Sequence, residues 1–313
     1  MESPGKKVSL RDVYGQALVK LGEKHSNLVV LDADLSSSTR TQEFGRLFPK
    51  RFFNMGIAEQ NLMGTAAGLS TCNLIPFAST FALFAVERAF EQIRNSIAYP
   101  KLNVKIVATH AGLSAGKDGG SHEAIEDISL MRSIPNMTVV CPCDEPEVNQ
   151  VIEAAYHYQG PMYIRLSRME LPILHSPSYN FKLGKGEVLK DGTDVTIIAT
   201  GAMVCRALCA ADRLRSEGID AAVLNIATIK PIDQELIIQY AKKTKRIVTA
   251  EEHNIFGGLS SAVSETVTDK YPVLVKKIAI NDRFGQTGTP EELFQEYGLT
   301  EDQIYATVKR LIK

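Results

Sequence analysis

The sequence predicts an α/β protein of two domains, each with a mainly parallel β-sheet covered by helices. Segments typical of strands alternate with segments typical of helices along most of the chain. The strand-like segments are continuous apolar runs, which indicates strands buried on both faces of a parallel sheet. A length of 313 residues also favours about two domains, because single cores are usually smaller.

In the first half of the chain, apolar runs predict buried strands at residues 28–32, 104–109, 137–141 and 162–166. Helices are predicted at residues 10–24, 60–71, 81–97 and 123–133. A further helix is expected after Asp144, because Glu145, Pro146 and Glu147 follow it and such residues are typical of a helix start.

The alternation stops between residues 171 and 191, which include Pro172, Pro177, Gly184 and Gly186. We interpret this stretch as a linker between domains at 1–170 and 192–313. The second half restarts with strands predicted at 194–200, 221–226, 246–250 and 274–280. Helices are predicted at 203–216, at 233–242 and after the Gly257-Gly258 pair.

The composition is that of an ordinary globular protein without a strongly charged surface. The net charge is −1, and 23% of the residues are charged. No basic block is present, so we expect neither nucleic acid nor a membrane as a partner. The first nine residues are polar, and no stretch of 18 uninterrupted apolar residues follows, so a cytoplasmic location is expected.

The five cysteines are an odd number, which argues against a disulfide framework. Cys141, Cys143, Cys205 and Cys209 could in principle form a four-thiolate metal site. However, Cys205 and Cys209 lie one helical turn apart in an apolar helix, so we interpret them as small core residues.

A short stretch ending in Glu59 places one carboxylate after a Gly turn, at the start of a helix rich in small residues. Gly64, Ala67 and Gly68 would let another backbone approach this helix closely. Glu59 would then lie in a largely dry contact, where a hydrogen bond to the carboxyl is strong. A plain interaction of Glu59 with the helix dipole is the structural alternative.

Aromatic residues follow at Phe77, Phe81 and Phe84, a spacing of i, i+4 and i+7 once the predicted helix begins. This pattern is more often a core face, although a flat heteroaromatic ligand would also stack on it.

A long Gly-rich loop from His110 to His122 directly follows a predicted strand and also contains Asp118. Ligands of open α/β sheets bind in loops beyond the carboxyl ends of strands, so we expect this loop to be functional. Arg165 and Arg168 follow another strand and could grip a phosphate, or form surface ion pairs.

In combination, these motifs resemble the C-terminal section of transketolase, the pyrimidine-binding plus C-terminal domains, over nearly the whole chain. The Gly-Ile-Ala-Glu-Gln block stands at 56–60, the Ser-Thr-Phe block at 79–81, and the His-Gly-rich-Asp-Gly-x-x-His loop at 110–122. The resemblance implies that Glu59 hydrogen-bonds the aminopyrimidine of thiamine diphosphate and that Phe81 and Phe84 pack on that ring. Asp34 falls on a family acid at the cofactor pocket, without a specific role.

The resemblance also implies a set of substrate-binding residues. The terminal phosphate of a sugar substrate would be bound by Arg11, Ser38, His110 and Arg168. Asp118 and His122 would bind substrate hydroxyls, and His122 could share in proton transfer.

The Gly-Asp-Gly motif with which the family holds Mg²⁺ and the cofactor diphosphate is not found in the sequence. Mg²⁺ and the diphosphate would therefore be held mainly by a separate N-terminal subunit. The resemblance thus implies one subunit of a split transketolase, an α2β2 heterotetramer that transfers a two-carbon ketol unit between sugar phosphates.

Other functions are kept as alternatives. A beta subunit of a 2-oxo acid dehydrogenase shares the split architecture and the glutamate, but it needs no sugar-phosphate grip. A deoxyxylulose phosphate synthase-like activity normally has both halves in one chain. A non-catalytic scaffold would be expected to lose Glu59 or the loop histidines. Glu251, Glu252 and His253 look like a further site but are left unassigned.

Overall fold

The computed structural model describes residues 6–176 and 178–313. Residues 1–5 of the predicted first domain and Pro177 of the predicted linker lie outside the described residues. Within the described part, no helix combines the length and apolar character that crossing a membrane requires.

The strands are β1 (Lys7–Ser9), β2 (Leu28–Asp32), β3 (Phe52–Asn54), β4 (Ile75–Phe81), β5 (Lys105–Thr109), β6 (Thr138–Val140), β7 (Met162–Arg165), β8 (Glu170–Pro172), β9 (Glu187–Lys190), β10 (Val195–Ala199), β11 (Ala221–Asn225), β12 (Thr228–Lys230), β13 (Arg246–Asn254) and β14 (Leu274–Ile280). The α-helices are α1 (Leu10–Lys24), α2 (Ser36–Thr39), α3 (Gln42–Leu47), α4 (Glu59–Thr71), α5 (Asp127–Ser133), α6 (Glu145–His157), α7 (Met203–Ser216), α8 (Gln234–Thr244), α9 (Leu259–Lys270), α10 (Pro290–Glu296) and α11 (Glu301–Ile312).

The first sheet has the strand order β12-β6-β7-β5-β4-β2-β3, and its pairs are parallel except for β12 against β6. Strands β2, β4, β5 and β7 are buried along their whole length. That is the pattern of a parallel sheet covered on both faces. Asp144 caps α6 as predicted, because its side chain accepts a hydrogen bond from the Glu147 amide.

The second sheet has the order β14-β13-β10-β11-β9 and is parallel except for the pairing of β9 with β11. The predicted α/β class with two mainly parallel sheets is therefore confirmed. One apolar cluster is continuous across both sheets and includes Val140 and Ile164 of the first and Ile197 and Val223 of the second. The two domains thus share a core and hold each other in place.

The helical segment predicted at 81–97 begins one residue later, at Ala82, and most of it is π-helical rather than α-helical. Residues Ile75–Phe81 form β4 in the middle of the first sheet, followed by two wide π-helical turns at Phe84–Arg88 and Gln92–Ala98. The predicted helix at 123–133 is also too long, since α5 begins at Asp127. Both errors matter for the site, because these segments lie next to the Gly-rich loop.

Strands also occupy both ends of the predicted linker. Strand β8 at its start pairs antiparallel with β1, and β9 near its end pairs with β11 of the second sheet. Strand β12, which belongs to the second half of the sequence, adds an edge to the first sheet. The chain therefore crosses between the two sheets more than once.

Candidate functional site

The candidate site lies at the carboxyl edge of four neighbouring strands. Strands β7, β5, β4 and β2 are adjacent in the sheet and parallel, so their ends meet at one edge. The segments beyond these ends carry most of the residues that the sequence singled out. The fold thus brings together side chains far apart in the chain, as expected for a ligand edge of an open α/β sheet.

A cationic cavity of about 350 Å³ lies at this edge and is lined by Arg11 and Arg168. Arg11 Nη1 donates to the Ser38 carbonyl oxygen at 2.9 Å and to His110 Nε2 at 3.4 Å. Arg11, His110 and Arg168 are thus brought together as predicted. Ser38 is tied to the group through its backbone.

Two further cations, Arg40 and Lys117, line the same cavity. The sequence analysis missed both. Lys117 lies next to Asp118 in the Gly-rich loop from His110 to His122, so its place in that loop could have indicated a role in the site. Arg40 follows the predicted strand at 28–32 by several residues and gave no signal of its own.

His110 is buried and held in one orientation. Its backbone has a left-handed φ of 57°, which turns the chain sharply at the end of β5. Burial lowers the pKa of His110 to about 3, and the positive charges of Arg11 and Arg168 act in the same direction. The ring is therefore neutral, with Nε2 accepting from Arg11 and Nδ1 donating to Thr109 Oγ1 at 2.9 Å.

Aromatic rings connect the cationic cavity to the far end of the Gly-rich loop. Phe81, the last residue of β4, stacks on His110 with 3.7 Å between ring centroids and lies 5.8 Å from Phe84. Phe84 meets His122 edge-on at 5.2 Å. Phe77 and Phe81 therefore do not lie on a helix face as predicted. The stack arises where a strand end meets the π-helical turn that carries Phe84.

Asp118 and His122 lie beside these groups and are both solvent-accessible. Asp118 Oδ1 is 3.9 Å from Arg168 Nη1, and His122 Nδ1 is 3.0 Å from Ser121 Oγ. Gly116 between the two ends of the loop has φ of 73°, which bends the loop back on itself. The bent loop carries the Asp118 carboxylate to Arg168 of the cavity and the His122 imidazole to Phe84.

Glu59 is the first residue of α4, and only 4% of its side chain is exposed. Within the described residues its carboxylate accepts no hydrogen bond, and the nearest cation is Arg88, with Nε at 3.8 Å. Arg88 belongs to the same π-helical turn as Phe84 and is itself 67% exposed. Glu59 is thus a buried acid with free acceptor capacity, linked through Arg88 to the turn that carries Phe84.

Asp34 is exposed and has a left-handed φ of 65°. Its carboxylate accepts from Asn54 Nδ2 at 2.9 Å, and the Asn54 amide oxygen accepts from the backbone amides of Asp34 and Gly56. Asn54, which the sequence analysis did not single out, therefore links Asp34 to the Gly turn that leads into Glu59.

Arg165 is not available for a phosphate. Its side chain is 3% exposed, with Nε 2.8 Å from Asp127 Oδ2 and Nη1 3.7 Å from Glu252 Oε2. Burial acts to lower the pKa of Arg165, but the charges of Asp127 and Glu252 outweigh it and raise this pKa. Arg165 therefore belongs to a buried ion network with Asp127 and Glu252, which has a structural role.

Glu251, Glu252 and His253 of the second domain, which were left unassigned, make structural contacts. Glu252 is the one that contacts the Gly-rich loop. Glu252 Oε1 accepts from the Ser114 amide at 2.6 Å. His253 Nε2 accepts from the Ser129 amide at 3.3 Å, and Glu251 caps the start of α9 by accepting from the Leu259 amide at 2.6 Å. These contacts are structural rather than a second site.

No metal centre is supported by the described cysteines. Cys141, Cys143, Cys205 and Cys209 do not form one ligand group among the described residues. A different buried group has ligand atoms close together: Cys143, Asp144, Glu147 and His175. Both of its carboxylates already accept hydrogen bonds from protein donors, so we interpret the group as a structural network.

The residues at Glu59 fit an aminopyrimidine ring. The acceptor capacity of the Glu59 carboxylate is unused within the described residues. The rings of Phe81 and Phe84 provide flat apolar surface, and Phe84 shares its turn with Arg88, the cation closest to Glu59. A heteroaromatic ring with a hydrogen-bond donor matches both features. Glu59, Phe81 and Phe84 are therefore the residues of this chain that would hold such a ring.

Comparison with known proteins identifies the family of the chain. The family model described as "Transketolase, pyrimidine binding domain" matches residues 6–173, and "Transketolase, C-terminal domain" matches residues 184–304. The chain belongs to the transketolase family. Within that family it consists of the pyrimidine-binding and C-terminal domains.

Its relatives include separate subunits as well as full-length enzymes. The chain is 49% identical over 308 residues to a Methanocaldococcus jannaschii protein named "Putative transketolase C-terminal section", covering 97% of this chain and 96% of the relative. It is 41% identical to the "6-deoxy-6-sulfo-D-fructose transketolase subunit SqwH" of Clostridium sp., covering 94% and 92%. It is 39% identical to human transketolase but covers only 50% of that protein.

Among solved structures, the chain is similar to one titled "Split gene transketolase, inactive beta4 tetramer". The identity is 52%, the TM-score is 0.90, and the match covers 98% of this chain and 99% of the other. The chain thus matches separately encoded C-terminal sections over nearly their full length.

Proposed function

We propose that this chain is the C-terminal subunit of a split, thiamine-diphosphate-dependent transketolase. In this proposal it transfers a two-carbon ketol unit from a ketose phosphate to an aldose phosphate. Active enzyme requires an N-terminal subunit, with which the chain forms an α2β2 heterotetramer. The phosphorylated substrates are charged metabolites of the cytoplasm, which is the expected location.

The observation that carries the proposal is the cationic cavity next to the aromatic stack. Arg11 and Arg168 line one cavity, His110 lies behind Arg11 with Nε2 at 3.4 Å, and Phe81 stacks directly on His110. A sugar phosphate needs a cationic grip at one end and a reactive centre at the other. A 2-oxo acid has no terminal phosphate, so this cavity favours transketolase over a 2-oxo acid dehydrogenase subunit.

Thiamine diphosphate, when bound, supplies a nucleophilic thiazolium carbon. The role of this chain would be to hold the pyrimidine end, with Phe81 and Phe84 packing on the ring. Glu59 would hydrogen-bond a ring nitrogen and hold the proton at that atom, which favours the tautomer that acts as a base. Asp34, tied through Asn54 to the turn before Glu59, would stabilise the edge of the same pocket.

The substrate is proposed to lie between the cofactor and the cavity. Asp118 and His122 are accessible on the side of the loop that faces Arg168 and Phe84, so they can meet the sugar hydroxyls. His122 has one ring nitrogen within reach of Ser121 Oγ, which leaves the other to exchange a proton with a hydroxyl. Ser38 would add to the phosphate site through the short α2 segment.

The proposed partner surface is the open face of α4. A methyl group placed on Gly64 or on Gly68 would meet nothing within 4 Å, and Ile57 in the preceding turn is 83% exposed. Small residues and an exposed aliphatic side chain beside a buried acid suit close packing of another subunit. That subunit would supply the ligands for Mg²⁺ and the cofactor diphosphate.

The test is a ketol-transfer assay with xylulose 5-phosphate, ribose 5-phosphate, thiamine diphosphate and Mg²⁺. The chain is assayed alone and after co-expression with a transketolase N-terminal section that carries the Gly-Asp-Gly motif. We expect activity only from the pair. Activity with a 2-oxo acid instead of the sugar phosphate would favour the dehydrogenase alternative. A stable, cofactor-binding complex without any activity would favour the scaffold alternative.

A further inference from the structure

The cationic cavity contains one arginine, Arg40, that the sequence motifs did not include. It stands at the end of α2, where its backbone has a left-handed φ of 68°. A methyl group on Gly15 of α1 would lie 2.6 Å from the Arg40 carbonyl oxygen. The backbones at Gly15 and Arg40 are therefore in direct contact. Because Arg11 lies on α1 with Gly15, this contact fixes the position of Arg40 relative to Arg11.

The Arg40 side chain is oriented by an acid on α1. Its Nε lies 2.6 Å from Asp12 Oδ1, and the two side chains are 38% and 45% exposed. Among the described residues, the Arg40 guanidinium forms this ion pair but donates no hydrogen bond. The ion pair thus holds the stem of the side chain while leaving its terminal nitrogens for a ligand. Burial lowers the pKa of Arg11, and the positive charge of Arg40 acts in the same direction.

The lining of the cavity carries more cations than carboxylates. Its charged lining residues are the cations Arg11, Arg40, Lys117 and Arg168 and the carboxylates Asp12 and Glu170. Arg40 is thus one of four cations that an anion in the cavity would meet. Asp118 contacts Arg168 from outside the lining, at 3.9 Å.

A terminal phosphate and a terminal sulfonate have similar shapes but different charges. A phosphate monoester has a second pKa of about 6 and is mostly a dianion at neutral pH. A sulfonate carries a single negative charge at any such pH. At the same distance a cation attracts a dianion about twice as strongly as a monoanion, so each cation of the lining favours the phosphate over the sulfonate.

We propose that Arg40 is a specificity-determining residue that makes this cavity select a terminal phosphate dianion over a sulfonate monoanion. The expected change in ketol-transfer kinetics rests on the proposed function. Binding of a phosphate by Arg40 can be measured without turnover. Lys117 is exposed on a flexible stem, so Arg40 is the better placed of the two additional cations.

The kinetic test compares fructose 6-phosphate with 6-deoxy-6-sulfo-D-fructose as ketol donors for the co-expressed complex. In Arg40→Gln, we expect kcat/KM for the phosphate donor to fall at least tenfold, mainly through KM. The value for the sulfonate donor should fall much less, by about threefold. Arg40→Lys keeps the charge and should recover part of the loss. Arg46→Gln, which removes an exposed arginine paired with Glu43, is the control.

Equal losses with both donors, or no loss with either, would overturn the proposal. A second measurement distinguishes a failure of the Arg40 proposal from a failure of the proposed function. Binding of ribose 5-phosphate and of ribose to the chain alone is measured by calorimetry. If the complex transfers no ketol unit, weaker binding of ribose 5-phosphate to Arg40→Gln, with ribose unaffected, still supports the role of Arg40. Unchanged binding of ribose 5-phosphate rejects it.

Discussion

Glu59 differs from the buried acids whose carboxylates are paired within the described part of the protein. Glu252 and Asp127 are buried against Arg165, and Glu147 accepts hydrogen bonds from several donors. Glu59 has only an exposed arginine at 3.8 Å. Burying a carboxylate without a hydrogen-bond donor is costly, so such a residue is usually completed by a ligand or a partner.

Glu59→Gln keeps the size of the side chain but removes the acid. If Glu59 holds the proton of the cofactor ring, turnover of the complex should fall at least ~100-fold, the usual contribution of a positioned acid or base. Assembly with the partner subunit should be unchanged. Steady-state kinetics and gel filtration check both points, with Glu23→Gln at an exposed position of α1 as the control. Turnover close to that of the unmodified complex would remove Glu59 from the mechanism.

Arg168→Ala tests the grip on the substrate rather than the chemistry. A charge-assisted hydrogen bond to a phosphate contributes about 1.5–3 kcal/mol, so KM for phosphorylated substrates should rise tenfold or more. KM for an unphosphorylated analogue such as ribose should change little, because that analogue does not reach the cationic cavity. An equal rise for both substrates would mean that Arg168 acts on the fold of the loop.

At the scale of elements, the position of α1 relative to α2 determines the cationic cavity. Gly15 permits the contact between these helices, because the Arg40 backbone occupies the space that a side chain at position 15 would need. Elsewhere, Gly to Ala inside a helix stabilises by about 0.5–1 kcal/mol. Gly15→Ala should instead destabilise the chain by about 1–3 kcal/mol, because the methyl group must displace backbone.

Urea unfolding of the chain alone measures that change, and ribose 5-phosphate binding measures its effect on the cavity. We expect Gly15→Ala to lower both the stability of the chain and its affinity for ribose 5-phosphate. The reason is that α1 carries Arg11 and that the contact of Gly15 with the Arg40 backbone positions Arg40. A gain in stability with unchanged binding would show that α2 moves freely and does not define the cavity.

The elements that the sequence predicted well are those with a clear local signal. The bounds of β2, β14, α1 and α7 agree with the predicted ranges. Strand β4 was not predicted, because only the helical spacing of its aromatics was noted and the predicted helix began at residue 81. Pro76 is an unusual residue for such a central strand. Pro76 is tolerated because the ladder with β5 begins only at Phe77.

The site was predictable where a motif stood in one segment, as for the loop from His110 to His122. Its internal contacts were not predictable, because they depend on geometry between segments. The stack of Phe81 on His110 requires the left-handed turn at His110, and the ion pair of Arg40 with Asp12 requires α1 to touch α2. The roles carried over from the family for these residues remain predictions until they are tested by mutation.

At the scale of the whole molecule, a buried polar network joins the two domains. His175, in the predicted linker, has Nδ1 2.9 Å from Asp144 Oδ1 and Nε2 2.8 Å from Glu187 Oε2. Asn225 of the second sheet donates to Glu147 Oε1 at 2.8 Å. Asp144 and Glu147 belong to the start of α6 in the first domain, so the network spans both domains and the segment between them.

The network should make stability depend on pH. Burial opposes the charged form of His175, but its hydrogen bond to Asp144 and the nearby Glu147 and Glu187 outweigh burial and raise its pKa above 6.5. A raised pKa means that the contribution is complete below about 6.5 and is lost as pH rises through the higher folded-state value. The pKa of Glu147 is raised by burial, which acts in the same direction.

His175→Gln should therefore lower the melting temperature of the chain at mildly acidic pH, where the imidazolium is present, by an amount corresponding to about 1–3 kcal/mol. The difference from the unmodified chain should shrink as pH rises above the folded-state pKa of His175. Thermal unfolding followed across this pH range measures it. A constant difference at all pH values would assign the loss to packing rather than to charge.

The open face of α4 leads to the last prediction, which concerns assembly. Within the chain, a methyl group at Gly64 meets nothing, so Gly64→Ala should raise the stability of the chain alone by up to ~1 kcal/mol. If another subunit packs closely against this face, the same methyl group should weaken the complex by about 1–3 kcal/mol. Unfolding of the chain alone and affinity for the N-terminal subunit should thus change in opposite directions. Unchanged affinity would place the partner surface elsewhere on the molecule.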